Sequence, residues 1–176
     1  DVAANQNLKI DYKNASLSDS QPDITSKFFQ SIASNYKHSD PYFNDYDLQV
    51  LLPHKLSQTG PALAKADVNG DGNEDIYVGG GHGQSGYLLL GQNSAAFKNG
   101  NNQVFKNDKQ YEDNGATFFD ADGDGDLDLY VVSGSYEFDR NPRMLQDRLY
   151  LNNGKGTFSK SNNLPELYSA GSVVVP

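Results

Sequence analysis

Two short acidic stretches hold the residues best suited to chemistry. They read Asp67-Val68-Asn69-Gly70-Asp71-Gly72-Asn73-Glu74-Asp75 and Asp120-Ala121-Asp122-Gly123-Asp124-Gly125-Asp126-Leu127-Asp128. Oxygen-bearing side chains fall at loop positions 1, 3, 5 and 9, with glycine at 6. Calcium is a hard cation that takes about six to eight oxygen ligands at about 2.3–2.6 Å. Alternating carboxylates on a tightly curled backbone can all point inward to meet it, and glycine at position 6 permits the bend. Position 7, Asn73 or Asp126, is expected to offer its backbone carbonyl, by analogy with helix–loop–helix calcium sites. Those sites close with a bidentate glutamate at position 12, whereas here that position is Val78 or Val131. The closing carboxylate stands at position 9, just before a β-branched and aromatic run. The loops are therefore strand-flanked.

The competing reading is a solvated turn without metal, since Asp, Asn and Gly dominate turns in any case. Two copies with matching oxygen positions argue against it, as does the repulsion among several carboxylates a few ångströms apart. Magnesium suits the loops less, because it prefers few protein carboxylates and retains waters. The expectation is two Ca2+ sites, held by Asp67, Asn69, Asp71, Asn73 and Asp75 and by Asp120, Asp122, Asp124, Asp126 and Asp128. The second loop has carboxylates at positions 1, 3, 5 and 9 where the first has Asn69 at position 3, so the second is expected to bind more tightly.

The elements that must position these loops recur in order. Pro61–Ala66 approaches the first loop as a strand; Ile76-Tyr77-Val78 leaves it, followed by a Gly-rich turn and a further strand over Tyr87–Leu90. Gly115–Phe119 approaches the second loop, Leu129–Val132 leaves it, and after a longer polar loop Leu149–Leu151 precedes the turn Asn152–Gly156. The first aspartates are 120 − 67 = 53 residues apart. A period near 50 with several short strands per unit points to a propeller or similar array. Upstream, Leu8, Ile10 and Tyr12 alternate as a short strand, Ile24–Tyr36 has near-helical spacing, and Ser39–Tyr46 is a turn-rich connection.

Both loops, with the following DIYVGG and DLYVVSG, resemble FG-GAP/VCBS repeats, the calcium-loop blades of integrin α-subunit propellers and many bacterial surface proteins. Leu51–Asp75 and Arg148–Phe158 look closer still to secreted or surface-attached VCBS-repeat proteins of Bacteroidetes type. The resemblance covers roughly residues 48–176 and implies an all-β fold, a partial β-propeller of two to three blades. An irregular, short-helical segment at 1–47 precedes it. Repeat 1 is expected over about 61–114 and repeat 2 over about 115–170, with a third beginning at 171–176 as another approach strand. A closed propeller needs about four to eight blades, so the resemblance also implies a piece of a longer protein, a small open assembly, or closure through a partner chain.

Bulk composition agrees with this reading. The chain has 176 residues, 17 Gly, 11 Tyr and 9 Phe, a mixture suited to strands joined by frequent turns. Its net charge of −9 disfavours nucleic acid, which needs a basic footprint, and suits cation binding. The absence of cysteine removes disulfides and thiolate sites without deciding compartment. No stretch of about 18 apolar residues could span a bilayer. No secretion signal opens the sequence at Asp1; one has been removed or was never there.

Several motifs carry less than they promise. Gly81-His82-Gly83-Gln84-Ser85-Gly86 matches a dinucleotide fingerprint in letters, but that fingerprint needs a helix to begin there, and Tyr87–Leu90 reads as a strand. His38, His54 and His82 lack metal-ligand spacing; His54 is expected to be structural, bonding a neighbouring loop. No nucleophile elbow or zinc helix motif is present, and no carboxylate pair of glycosidase type stands out from the loops, so no catalytic residue is assigned. The leading expectation is a non-enzymatic binding or scaffold module, extracellular or at the cell surface and outer membrane associated in a Gram-negative bacterium, with a protein or glycan partner. The alternatives are the calcium-stabilised part of a polysaccharide-acting enzyme and a structural subunit of a cell-envelope complex.

Overall fold

The computed structural model describes residues 36–93, 96–138 and 141–175. The expected strand at Leu8–Tyr12 and nearly all of the expected helix at Ile24–Tyr36 lie outside them. The chain divides into Asp1–Ser31 and Ile32–Pro176, and the second unit holds both acidic loops. It consists of two four-stranded antiparallel sheets, each a simple meander. The first contains β1 (Leu63–Ala66), β2 (Asp75–Val78), β3 (Tyr87–Gln92) and β4 (Ala96–Asn99). The second contains β5 (Asp113–Phe119), β6 (Asp128–Ser133), β7 (Arg148–Leu151) and β8 (Ser159–Lys160). The strands expected around the two loops are all present. Neither β4 nor β8 is among them, because their residues are largely exposed and have no apolar alternation to betray them.

Period-2 alternation determines which side of each strand turns inward. Ala64, Tyr77 and Leu88 from the first sheet meet Leu129, Val131 and Tyr150 from the second in one core, with β1 lying against β5. A single helical turn between the sheets, α1 (Gln103–Lys106), drives Phe105 into that core. The Phe105 ring stands edge-on to Tyr77 at 5.3 Å and to Tyr150 at 5.1 Å. Such edge-to-face pairs contribute about 0.5–1.5 kcal/mol beyond area burial.

A buried polar cross-link joins the same two sheets. The Arg148 Nη2 donates to Asp113 Oδ1 at 2.6 Å, while the Tyr77 hydroxyl and the Gly80 amide both donate to Asp113 Oδ2. Each oxygen of the buried carboxylate is thus satisfied, which is the condition for such a pair to be tolerated in a core.

One expectation needs correction, that for His54; residues 172–175, expected to begin a third repeat, pair with no strand among the described residues. Instead, the Gly171 amide bonds to Ser133 O, and Val174 and Val175 lie along Thr117, Phe119 and Tyr130. His54 is exposed and makes no hydrogen bond to the described residues. The pinning of its segment falls to Asp45, fully buried, whose carboxylate accepts from the Leu56 and Ser57 amides. Gly81–Gly86 links β2 to β3, and no helix begins there.

Candidate metal centre

Each acidic loop joins the first two strands of its sheet, β1 to β2 and β5 to β6. The position-1 aspartate organises the curl. Asp67 Oδ1 accepts from the Gly70 amide at 2.8 Å and Oδ2 from the Gly72 amide at 2.8 Å. Asp120 does the same for Gly123 at 2.7 Å and Gly125 at 3.1 Å. Positions 3 and 5 repeat the pattern two residues on. Asn69 accepts from Asp71 and Asp71 from Asn73; Asp122 accepts from Asp124 and Asp124 from Asp126. The curl needs left-handed backbone at position 6, with φ of 83° at Gly72 and 92° at Gly125, where a side chain would be strained. Position 4 is glycine with positive φ as well, a requirement that reasoning from the oxygen positions passes over.

In the second loop, oxygens of Asp120, Asp122 and Asp124 all lie within 4.8 Å of one another and are exposed. Ligands around one calcium ion at about 2.3–2.6 Å are separated by no more than about 5 Å, so this trio fits such an ion. Among the described residues it is the only such grouping of three acidic or histidine side chains; the first loop has Asn69 in place of the middle carboxylate. The electrostatics differ accordingly. The Asp122 carboxyl is pushed up by desolvation and by the neighbouring Asp124 charge, whereas hydrogen bonds from the Asn73 backbone and side-chain amides hold Asp71 below the usual range.

Asp75 and Asp128 occupy a different setting from the other loop residues. Both are buried, and both bridge backbone. Asp75 Oδ2 accepts from the Val68 amide at 3.0 Å and Oδ1 from the Gly91 amide at 2.7 Å. Asp128 Oδ2 accepts from Ala121 at 2.9 Å and Oδ1 from Asn152 at 2.8 Å. Each carboxylate therefore staples the start of its loop to the next strand pair. Desolvation raises the Asp75 carboxyl, although these amides and the nearby loop charges also act on it. Asn73 and Asp126 are half-buried; the Asp126 carboxylate lies against Gly154, where an added Cβ would come within 2.6 Å of Oδ1.

The loops also touch each other through a residue that the sequence does not single out. The Asn152 side-chain amide donates to Val68 O of the first loop at 2.7 Å and to Leu127 O of the second at 3.1 Å. The Gly156 amide adds a second bond to Val68 O. The turn Asn152–Gly156 thus packs both loops together, a role its turn-like composition does not announce.

Residues 67–131 match the model of the FG-GAP-like repeat family. The FG-GAP-like match runs from the first aspartate of the first loop, through both loops, into β6. The strand order on either side of the matched segment agrees with blades of an all-β partial propeller. No curated protein matches the chain. Among the described residues no helix is long and apolar enough to cross a membrane.

Proposed function

We propose that this protein is a calcium-stabilised binding or scaffold module acting at the cell surface. The observation that carries the reading is the Asp120–Asp122–Asp124 trio, whose oxygens are spaced as ligands of one divalent ion. The first loop supports it with the same hydrogen-bonded curl. The ligand sets are Asp67, Asn69, Asp71, Asn73 and Asp75, and Asp120, Asp122, Asp124, Asp126 and Asp128. Asp75 and Asp128 contribute whatever lone pairs their backbone bonds leave free. Bound calcium supplies the positive charge that offsets carboxylate repulsion, and its binding free energy adds to folding free energy.

Repeats of this kind are typically non-catalytic interaction modules and are commonly extracellular or surface domains. That supports a protein or glycan partner and the closer likeness to bacterial surface VCBS-repeat proteins, with association to an outer membrane. Calorimetric titration of calcium into the wild-type chain and into Asp71→Ala and Asp124→Ala variants tests the reading. Two binding events are expected, the tighter lost with Asp124→Ala and the weaker with Asp71→Ala. Heat-free titrations would remove calcium from the account, and a tighter event surviving Asp124→Ala would reverse the ranking.

A further inference from the structure

The register of β1 with β2 and of β5 with β6 puts Val78, Asp113 and Ser133 at the strand ends opposite the acidic loops. Four connections gather there. The segment from Tyr36 to Asp40 is tied to the β2–β3 turn by Tyr36 Oη to Gly79 O and by Gln84 Nε2 to Lys37 O. The Gly83 amide bonds to Lys109 O, the Asp113 amide to Gly80 O and the Gly134 amide to Glu112 O. The β6–β7 connection closes the group, with the Phe138 ring 5.1 Å from that of His82.

Four carboxyl groups are held in this junction, and three have cationic or ionisable partners. Asp113 pairs with Arg148 at 2.6 Å, Asp40 faces His38 at 2.8 Å and Glu137 faces His82 at 2.9 Å. Glu112 has none. It is 5% exposed, and its Oε2 is shut away from solvent without a hydrogen-bond donor. Glu137 Oε1 and His38 Nδ1 are likewise without a partner among the described residues, so unpartnered buried atoms gather in this one junction. An isolated buried carboxylate is too costly to persist, and a group so placed neutralises instead. Two neutralisers are available, a metal ion or a proton. No three ligand atoms of these residues come within 4.8 Å of one another, the Asp120 trio being the only such group among the described residues, which leaves the proton.

We propose that Glu112 is a proton-held latch of this junction, uncharged at neutral pH, and that its ionisation at alkaline pH releases the β2–β3 turn and the β6–β7 connection from each other. The groups that act on it are Asp40 from the leading segment, Asp113 from the second sheet and Glu137 and Ser135 from the β6–β7 connection; the three carboxylates are paired in turn with His38, Arg148 and His82, and Lys109 is exposed. Burial pushes the Glu112 carboxyl up to about 8, and the charges of Glu137, Asp40 and Asp113 add to it against the Ser135 hydroxyl. A carboxyl raised above its ordinary 4.5 gives stability that is full below that value and lost as pH rises through about 8.

Carbon-13 NMR of glutamate carboxyls in the calcium-loaded chain, with Glu112 assigned by its loss in Glu112→Gln, reads the proton directly. A midpoint near 8 is expected; an ordinary carboxylate midpoint, or one that calcium moves to low pH, would overturn the proposal. Hydrogen exchange of peptides covering residues 79–86 and 134–138, corrected for intrinsic rates, reads the latch. Between neutral pH and one unit above the midpoint, protection in the wild type should fall about tenfold and in Glu112→Gln should hold. Equal loss in both proteins, or none in the wild type, would sink it.

Discussion

Asp122 and Asp128 are both loop aspartates, yet one is exposed and the other shut in with both oxygens bonded to backbone amides. Their replacement should separate two kinds of contribution. Asp128→Ala leaves the Ala121 and Asn152 amides without acceptors, at a cost of about 2–4 kcal/mol whether or not calcium is present. Asp122→Ala should change stability in excess chelator by less than about 0.5 kcal/mol and abolish the calcium-dependent rise at that loop. Thermal melts of both variants with and without calcium check this; equal behaviour of the two would mean that the stapling role is misassigned. Gly91 is bound by the same staple. A Cβ there would sit 2.4 Å from Glu74 O, so Gly91→Ala should push the strand off Asp75 and cost about 1–3 kcal/mol. The sequence shows the five oxygens of each loop but not this division of labour, because the amides that claim Asp75 and Asp128 lie on Gly91 and Asn152, beyond any local pattern.

Strands with β-branched and aromatic alternation, such as Asp75–Val78 and Asp128–Ser133, were legible from residue order. The connection between the sheets was not. Four helical residues, Gln103–Lys106, are too few to show a helical period, yet Phe105 is 1% exposed and touches aromatic rings from both sheets. Phe105→Ala should cost about 3–5 kcal/mol and broaden the denaturant transition, since the sheets would lose their common core; a sharp transition with unchanged midpoint would show that the sheets meet without it. Asn152 is a second hidden element link. Its replacement by alanine removes donors to Val68 O and Leu127 O, with an expected loss of about 1–3 kcal/mol. Double-mutant cycles of Asn152→Ala with Asp71→Ala or Asp124→Ala should show coupling of at least about 0.5 kcal/mol, and simple additivity would mean that the loops ignore each other.

Across the molecule, two buried carboxyls and two acidic loops set opposing demands on pH. Hydrogen bonds from the Leu56 and Ser57 amides and the nearby Lys55 charge outweigh burial and hold Asp45 below its ordinary 3.8, so its stabilising contribution is present above that value and lost as pH falls through the lowered one. Glu112 acts in the other direction, its contribution fading as pH rises through about 8. In chelator, the melting temperature should therefore peak in mildly acidic solution. Calcium should move the peak upward, because its ligands must be deprotonated, and added salt without calcium should recover part of the loop repulsion. A peak that stays put on adding calcium would contradict both loops at once. The Glu112 group is illegible in the sequence for a physical reason: His38, His82, Glu112 and Glu137 are brought together only by the meander of two sheets. The placement of Phe105 has one more consequence, for anyone who would shuffle such repeats between proteins. The 53-residue sequence period and the folding unit do not share a border, since the ring that fills the space between sheets is carried by the linker rather than by either sheet. A graft of the first unit, cut from the start of β1 to the start of β5, would take the wedge away from the second sheet, and a graft of the second sheet alone would leave it behind.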